Sequence, residues 1–344
     1  MYSMEVLNAL LALLLSCGIS VLLGYFYIKL SRMFNLSQPI NPDVPRSHLQ
    51  KVGTPTAGGI FFIIGITISV LVFGDLSHPY TFIPLITMVA FAVVGFIDDV
   101  TKLVRKESIG LRTSRKLAMQ ILVAALILWL QSRISGLQST VISHPWIPSL
   151  TWDIGLWYPI AFLLYMVTFI NAVNITDGLD GLATQVAFGP LFLLAIIAGL
   201  FGSGLHFTLV QDSINSGGMH VLVILAASLG GLLGFLWYNG PKAQVFMGDT
   251  GSHAIGAVLA ISALLMKVEL IALVASVVYI VECLSSFLQI VAIRVFKRKI
   301  FAMAPLHHHF EKKGVAEGKI VTRLQIISVV ASVLAGVFFI IKYL

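Results

Sequence analysis

The sequence predicts an all-α integral membrane protein, a single polytopic membrane domain over residues 1–344 with ten transmembrane helices. Three observations carry this reading. Mean hydropathy is +0.96, and 58% of residues are hydrophobic against 11% charged, more apolar surface than a soluble chain of this size could bury. Apolar runs near the roughly 20 residues that cross a bilayer core recur along the whole chain. Lysine and arginine fall almost entirely into alternate loops.

The first run, 7–30, is too long for a signal-peptide core and follows Met-Tyr-Ser-Met-Glu rather than a basic stretch, so it is expected to remain as a span. The next runs are 58–74 (short, opening on a glycine pair), 80–97 (closing on adjacent aspartates) and 117–135. Runs 157–174 and 182–203 flank a polar turn, 220–238 leads into a glycine-rich loop, and 252–267 is again short. Runs 269–292 and 322–342 complete the set. Alternating the loops puts 19 of the 22 basic residues on one side and leaves Arg133, Lys267 and Lys342 opposite. That side is expected to be cytoplasmic, with both termini periplasmic. One missed span would scramble the bias, so the charge count supports the segment count.

The net charge of +7 therefore reports orientation, and no nucleic-acid partner is expected. Cys17 and Cys283 both lie in apolar runs and form neither a disulfide framework nor a ligand cluster. The external stretches 136–156 and 204–219 are rich in Ser, Gly and Pro, and "HPWIPSLTWDIGLWYP" reads as an interfacial aromatic belt.

All unusual polarity falls on the cytoplasmic side. "KVGTPTAGG" (51–59) enters the second run and "GFIDDVTK" (95–102) closes the third. "AVNITDGLDGLA" (172–183) joins the fifth to the sixth, "WYNGPKAQVFMGDTGSH" (237–253) the seventh to the eighth, and "MAPLHHHFEKKG" (303–314) precedes the tenth. Asp98 and Asp99 are expected at a helix C-terminal end, where the macrodipole disfavours negative charge and adjacent acids repel. Alone they read equally as a solvated helix end. Asp249, between glycines that permit close backbone approach, turns the balance toward a shared divalent cation, and hard oxygen ligands favour magnesium over zinc. Most basic residues serve orientation, but Lys51, Lys102 and Lys116 stand beside the polar loops, where cation, lysine and backbone amides could hold a pyrophosphate. No phosphate-binding glycine motif of the strand–loop–helix kind is present, which excludes a soluble nucleotide fold. His307, His308 and His309 cannot share one helix face. They suit phosphate or carbohydrate contacts or proton transfer better than chelation, and Pro305 before them marks an ordered loop start.

"GTPTAGGI", "DDVTK", "NAVNITDGLDGLA", "VFMGDTGS" and "APLHHHFE", in that order between spans, closely resemble the bacterial phospho-N-acetylmuramoyl-pentapeptide transferases of the polyprenyl-phosphate N-acetylhexosamine-1-phosphate transferase superfamily. The resemblance covers essentially the whole chain, and "PLHHHFE" points to the muramoyl-pentapeptide branch. It implies Mg2+-dependent transfer of phospho-MurNAc-pentapeptide from UDP-MurNAc-pentapeptide to undecaprenyl phosphate within the bacterial inner membrane, releasing UMP and forming lipid I. It further implies Asp249 as the magnesium ligand and catalytic roles for Asp98, Asp99, Asp249 and His307. Asn174, Asp177, Gly178, Leu179 and Asp180 would shape the nucleotide pocket, with Phe246 against the uracil. Lys51, Lys102, Lys116, Asn171, Asn239 and Ser252 would contact nucleotide or phosphates, and Gln289, His308 and His309 would line the substrate side. A homodimer is implied as well. His253 stands where these relatives usually carry leucine, and "VFKRKIF" is shorter than usual and lacks a Thr-Gly pair.

Attack of a phosphate on a phosphoanhydride brings anions together, so neutralisation and in-line placement dominate, and an ionised phosphate needs no strong base. Direct transfer is therefore favoured over a covalent aspartyl intermediate. One rival reading is a sibling enzyme that uses UDP-GlcNAc. The other is a transporter, for which Glu282 and Gln289 are the main deep polar groups.

Overall fold

The computed structural model describes residues 2–34, 51, 53–107, 110–143, 147, 151–203 and 212–343. The helices are α1 (Tyr2–Met33), α2 (Gly59–Phe73), α3 (Pro79–Arg105), α4 (Thr113–Ser132), α5 (Tyr158–Thr176) and α6 (Leu182–Gly202). They continue with α7 (Asp212–Asn239), α8 (Gly248–Leu265), α9 (Glu269–Ala275), α10 (Val277–Phe296), α11 (Leu306–Lys312) and α12 (Glu317–Tyr343). Among the described residues, nine helices are long and apolar enough to cross a membrane, and α2 is an apolar helix of 15 residues. Each predicted run meets a helix. The external stretch 204–219 lies partly outside the described residues.

Three features differ from the expectation. First, α3 continues to Arg105 instead of stopping near residue 97, because Lys102 neutralises the acids that were expected to close it. Second, the run 269–292 is divided at Ser276, although the helical bond Ser276 N–H to Ala272 O (2.9 Å) persists across the junction. Third, the external stretch 136–156 holds a two-stranded antiparallel hairpin, β1 (Val141–Ser143) with β2 (Thr151–Asp153). Its β-branched Val141, Ile142 and Thr151 favour extended backbone, as does an exposed segment with no helical apolar stripe.

Helix α8 is the axis of the bundle. Every residue from Asp249 to Leu265 is buried, as expected of a helix apolar on all sides. It packs on α3 and α5 and also touches α2, while α7 lies against α1 and α6, and α12 against α6 and α9. Small side chains let these backbones approach closely, the usual device where lipid supplies no hydrophobic drive between helices. Gly95 of α3 is the decisive case. A Cβ there would collide with the backbone of Asp249 and Thr250. One turn further along α3, Asp99 faces the start of α8 and reaches its first amides.

Candidate active site

Asp98, Asp99 and Asp249 each present a carboxylate oxygen, all within 4.8 Å of one another, and all three residues are buried. The solvated helix end, the alternative for the adjacent pair alone, is thus not what the acids occupy. Asp98 and Asp99 lie in the last two turns of α3, 2% and 0% exposed. Lys102, on the same helix, sits among the three carboxylates: 2.8 Å from Asp98 Oδ2, 3.1 Å from Asp249 Oδ1 and 3.6 Å from Asp99 Oδ1. Lys116 of α4 donates to Asp249 Oδ2 at 2.5 Å and to Asn174 Oδ1 at 3.2 Å. Asn174 in turn donates to Asp249 Oδ1 at 2.9 Å and to Ser252 Oγ at 3.0 Å.

The two adjacent acids have different surroundings. Both oxygens of Asp99 are occupied by the start of α8: Oδ1 accepts from Asp249 N (3.0 Å), and Oδ2 from Thr250 N (2.9 Å) and Thr250 Oγ1 (2.7 Å). Asp99 is an N-terminal cap, a site where negative charge is favoured. Gly248 permits it, having φ +71° and a position where a Cβ would come 2.5 Å from Asp99 Oδ2. Asp98 points instead toward the α3–α4 connection, accepting from Leu111 N at 2.8 Å. Three hard oxygen donors with amides and lysines around them fit a magnesium ion in donor type. Asp98, which meets Leu111 N and Lys102, keeps more of its lone pairs for it than Asp99 or Asp249 does.

A second cluster joins the turn after α5 to the start of α12. Lys51 donates to Asp180 Oδ1 and to Glu317 Oε1, both at 2.7 Å. Glu317 Oε1 also accepts from Asp180 N (2.7 Å), and Asp180 Oδ2 accepts from Ala243 N (3.0 Å). Burial works against the Lys51 charge, yet the bonds to Asp180 and Glu317 outweigh it and hold its pKa above the usual lysine value. Asp177 follows α5. Burial first, then the charges of Asp249 and Asp99, push its pKa up to about 8.

The histidines open a short helix, α11, with Pro305 as its N-cap, rather than a loop. They take separate partners. Glu282 Oε2 accepts from His307 N (3.2 Å) and His307 Nδ1 (3.1 Å), which puts the ring proton on Nδ1. Among the described residues Nε2 has no hydrogen-bond partner, and it packs against Gly178 of the α5–α6 turn. His308 Nδ1 meets Glu311 Oε2 at 2.6 Å, and His309 Nδ1 accepts from Ala302 N at 3.0 Å.

Several expected ligand residues are also bonded or packed into the framework. Asn239 donates to Val245 O (2.9 Å) and accepts from Thr184 Oγ1 (3.2 Å), bracing the loop before α8. Gln289 Oε1 accepts from Ile300 N and Phe301 N, both at 3.0 Å, and so anchors the turn after α10. Asn171 donates to Gln120 Oε1 (2.8 Å), below the carboxylates. Leu179 is buried. Half-buried Phe246 lies where the segments before α2 and α8 join by Phe246 N to Pro55 O (2.8 Å) and Gly58 N to Phe246 O (2.9 Å). Thr250, Glu317, Gln120 and the Glu282–His307 bond are site features that the sequence reading did not assign. Of these only Thr250 had a local signal, its place within "GDTGS".

Fold and site together define a polytopic membrane protein whose helix ends hold a buried carboxylate–lysine centre, and residues 81–267 match Glycosyl transferase family 4. Curated relatives extend the likeness beyond that stretch. The phospho-N-acetylmuramoyl-pentapeptide-transferases of Rickettsia massiliae (strain Mtu5) and Rickettsia montanensis are each 38% identical over 327 residues, covering 93% of this chain and 89% of theirs. That of Rickettsia felis (strain ATCC VR-1525 / URRWXCal2) is equally similar, at 38% over 327 residues. The chain belongs to the phospho-N-acetylmuramoyl-pentapeptide-transferase family.

Proposed function

We propose that this chain transfers phospho-MurNAc-pentapeptide from UDP-MurNAc-pentapeptide to undecaprenyl phosphate, releasing UMP and forming lipid I, at the cytoplasmic face of the bacterial inner membrane. The observation that carries this is the meeting of Asp98, Asp99 and Asp249 with Lys102 and Lys116 at the end of the spans. The charge asymmetry of the loops and the order of the helices support ten spans, counting α2, with both termini periplasmic.

Magnesium, held by Asp249 and Asp98, would withdraw charge from the pyrophosphate and make UMP a better leaving group. The chain's own residues do the rest. An oxygen of undecaprenyl phosphate attacks the sugar-linked phosphorus, the bond from that phosphorus to the UMP oxygen breaks, and UMP leaves with the electron pair. Lys102 and Lys116 neutralise phosphate oxygens as the anions approach. Asp99 holds the first turn of α8, and so Asp249, in place. We assign Asp177, Gly178, Leu179, Asp180, Lys51 and Phe246 to the nucleotide side. His307, with its Nε2 toward Gly178, is assigned to the sugar-phosphate side with His308 and His309. The acceptor phosphate is already ionised, so no aspartyl intermediate is invoked. The acceptor also explains the location, because its headgroup stays at the interface while its prenyl tail remains in the bilayer.

The test is UMP release from UDP-MurNAc-pentapeptide with undecaprenyl phosphate, with Mg2+ or EDTA, and with UDP-GlcNAc as the control donor. Mg2+-dependent release from the muramoyl donor alone is the expected result. Release from UDP-GlcNAc alone, or release unaffected by Asp249→Ala, refutes the assignment.

A further inference from the structure

Beneath the carboxylate–lysine centre lies a second polar layer. The upper layer takes one residue from each of three helices: Lys116 (α4), Asn174 (α5) and Asp249 (α8), joined side chain to side chain. About one turn further along the same helices stand Gln120, Asn171 and His253, and these are joined too. His253 Nδ1 lies 2.7 Å from the backbone oxygen of Asp249, and Gln120 Nε2 lies 2.9 Å from His253 Nε2. A carbonyl oxygen can only accept, so the imidazole proton is on Nδ1, and Nε2 accepts from the Gln120 amide. Asn171 Nδ2 donates to Gln120 Oε1 at 2.8 Å and to Val167 O at 2.8 Å. Gln120 and His253 are both 0% exposed.

Packing alone does not call for such a layer, since apolar side chains could fill the same volume. A buried polar network is tolerated only when its members are satisfied, and each bond is lost steeply with misalignment. Sliding α4 or α5 against α8 would strand at least one of these groups. The lower layer therefore fixes the register of the three helices one turn, about 5.4 Å, below the groups that face the reaction.

We propose that Gln120, Asn171 and His253 are positioning residues that set the spacing of Lys116, Asn174 and Asp249, and through Asp249 the affinity of the centre for its divalent cation. This rests on reading the centre as a metal site, so the experiment tests the two separately. Mn2+ binding by the full-length protein in detergent is followed by electron paramagnetic resonance, alongside the Mg2+ concentration for half-maximal activity and the unfolding temperature. His253→Leu is expected to weaken Mn2+ about tenfold and to raise the half-maximal Mg2+ concentration by a similar factor, the size typical when an outer partner of a ligand is lost. Gln120→Met, nearly isosteric, is expected to do the same and decides the matter if His253→Leu does not fold. The double variant is expected to be worse than His253→Leu by much less than the factor of Gln120→Met alone, because the two substitutions share the Gln120–His253 connection. Folded variants that bind Mn2+ like the wild type, with only the unfolding temperature lowered, would overturn the positioning role, as would factors that multiply in the double variant. Asp249→Asn is the control. If it still binds Mn2+ with wild-type affinity, the metal reading itself is wrong.

Discussion

Lys102 is the test of how the three acids coexist. Replacing it with methionine keeps the stem and removes the ammonium, which lies 2.8–3.6 Å from three carboxylates. At an effective dielectric of about 20, each contact is worth about 5 kcal/mol in gross Coulomb attraction. The carboxylates, within 4.8 Å of one another, repel by at least about 3.5 kcal/mol per pair on the same scale. The full penalty is never felt, because the cheapest escape is to protonate one acid. Raising an aspartate from about 3.9 to neutrality costs about 4 kcal/mol at about 1.4 kcal/mol per pH unit. That escape sets the size of the effect. Lys102→Met is expected to lose about 4 kcal/mol in EDTA, a fall in detergent unfolding temperature on the order of 10 °C.

Magnesium changes the outcome. A divalent cation among the same carboxylates supplies the charge that the ammonium supplied, so the deficit of Lys102→Met is expected to shrink as Mg2+ is added, and its stabilisation by Mg2+ to exceed that of the wild type. The assay is thermal unfolding by intrinsic fluorescence across a Mg2+ titration. Equal deficits with EDTA and with saturating Mg2+ would refute the reasoning. So would a variant as stable as the wild type without metal.

Gly95→Val places a branched side chain against the backbone of Asp249 and Thr250. It is expected to prevent recovery of a monodisperse protein, or to abolish UMP release if one is obtained, as size-exclusion and turnover assays would show. Lys51→Ala leaves buried Asp180 without its cation and is expected to raise KM for UDP-MurNAc-pentapeptide more than tenfold, whereas Glu317→Gln keeps both bonded hydrogens and changes KM less than about threefold. Asp177, raised to about 8, is favoured by the fold in its protonated form. Its contribution is full below the ordinary aspartate pKa and is lost as pH rises through about 8. Stability in EDTA is thus expected to fall by up to about 1.4 kcal/mol per pH unit across that window, and Asp177→Asn to flatten the slope in unfolding scans. Calorimetry is expected to show UDP-MurNAc-pentapeptide binding weakened in EDTA, with uridine binding unchanged.

The spans were legible because hydrophobicity and charge asymmetry are properties of single segments. The acids were legible for a different reason: buried carboxylates beside glycines are costly, so their presence in an apolar chain implies partners. What could not be read is which partners. The bond of Thr250 to Asp99 exists because Gly95 lets α3 touch α8, a tertiary fact. Glu317 sits in "VAEGK", with neither motif nor periodicity to mark it. The other side of this has the same root. Asn239 and Gln289 resemble ligand contacts in sequence, yet their amides meet backbone groups of their own loops. Polarity near a site does not reveal whether it faces the ligand or the chain.

The charge balance of the centre explains why metal and nucleotide would bind together. Asp98, Asp99 and Asp249 contribute three negative charges, and Lys102 and Lys116 two positive ones, so the innermost set stands at −1 when all are ionised. Such a centre repels a pyrophosphate. One divalent cation turns it to +1, and the same groups then attract phosphate oxygens from both donor and acceptor. A third lysine charge would have achieved neutrality without metal, but an ammonium cannot bridge carboxylates to phosphates as an oxygen-seeking divalent ion does. The proposed uridine end would be spared this switch, because the base carries no charge and Lys51 is held by Asp180 and Glu317 rather than by the three acids. On the proposed function, anion recognition in this centre would thus be conditional on the cation, whereas recognition of the base would not.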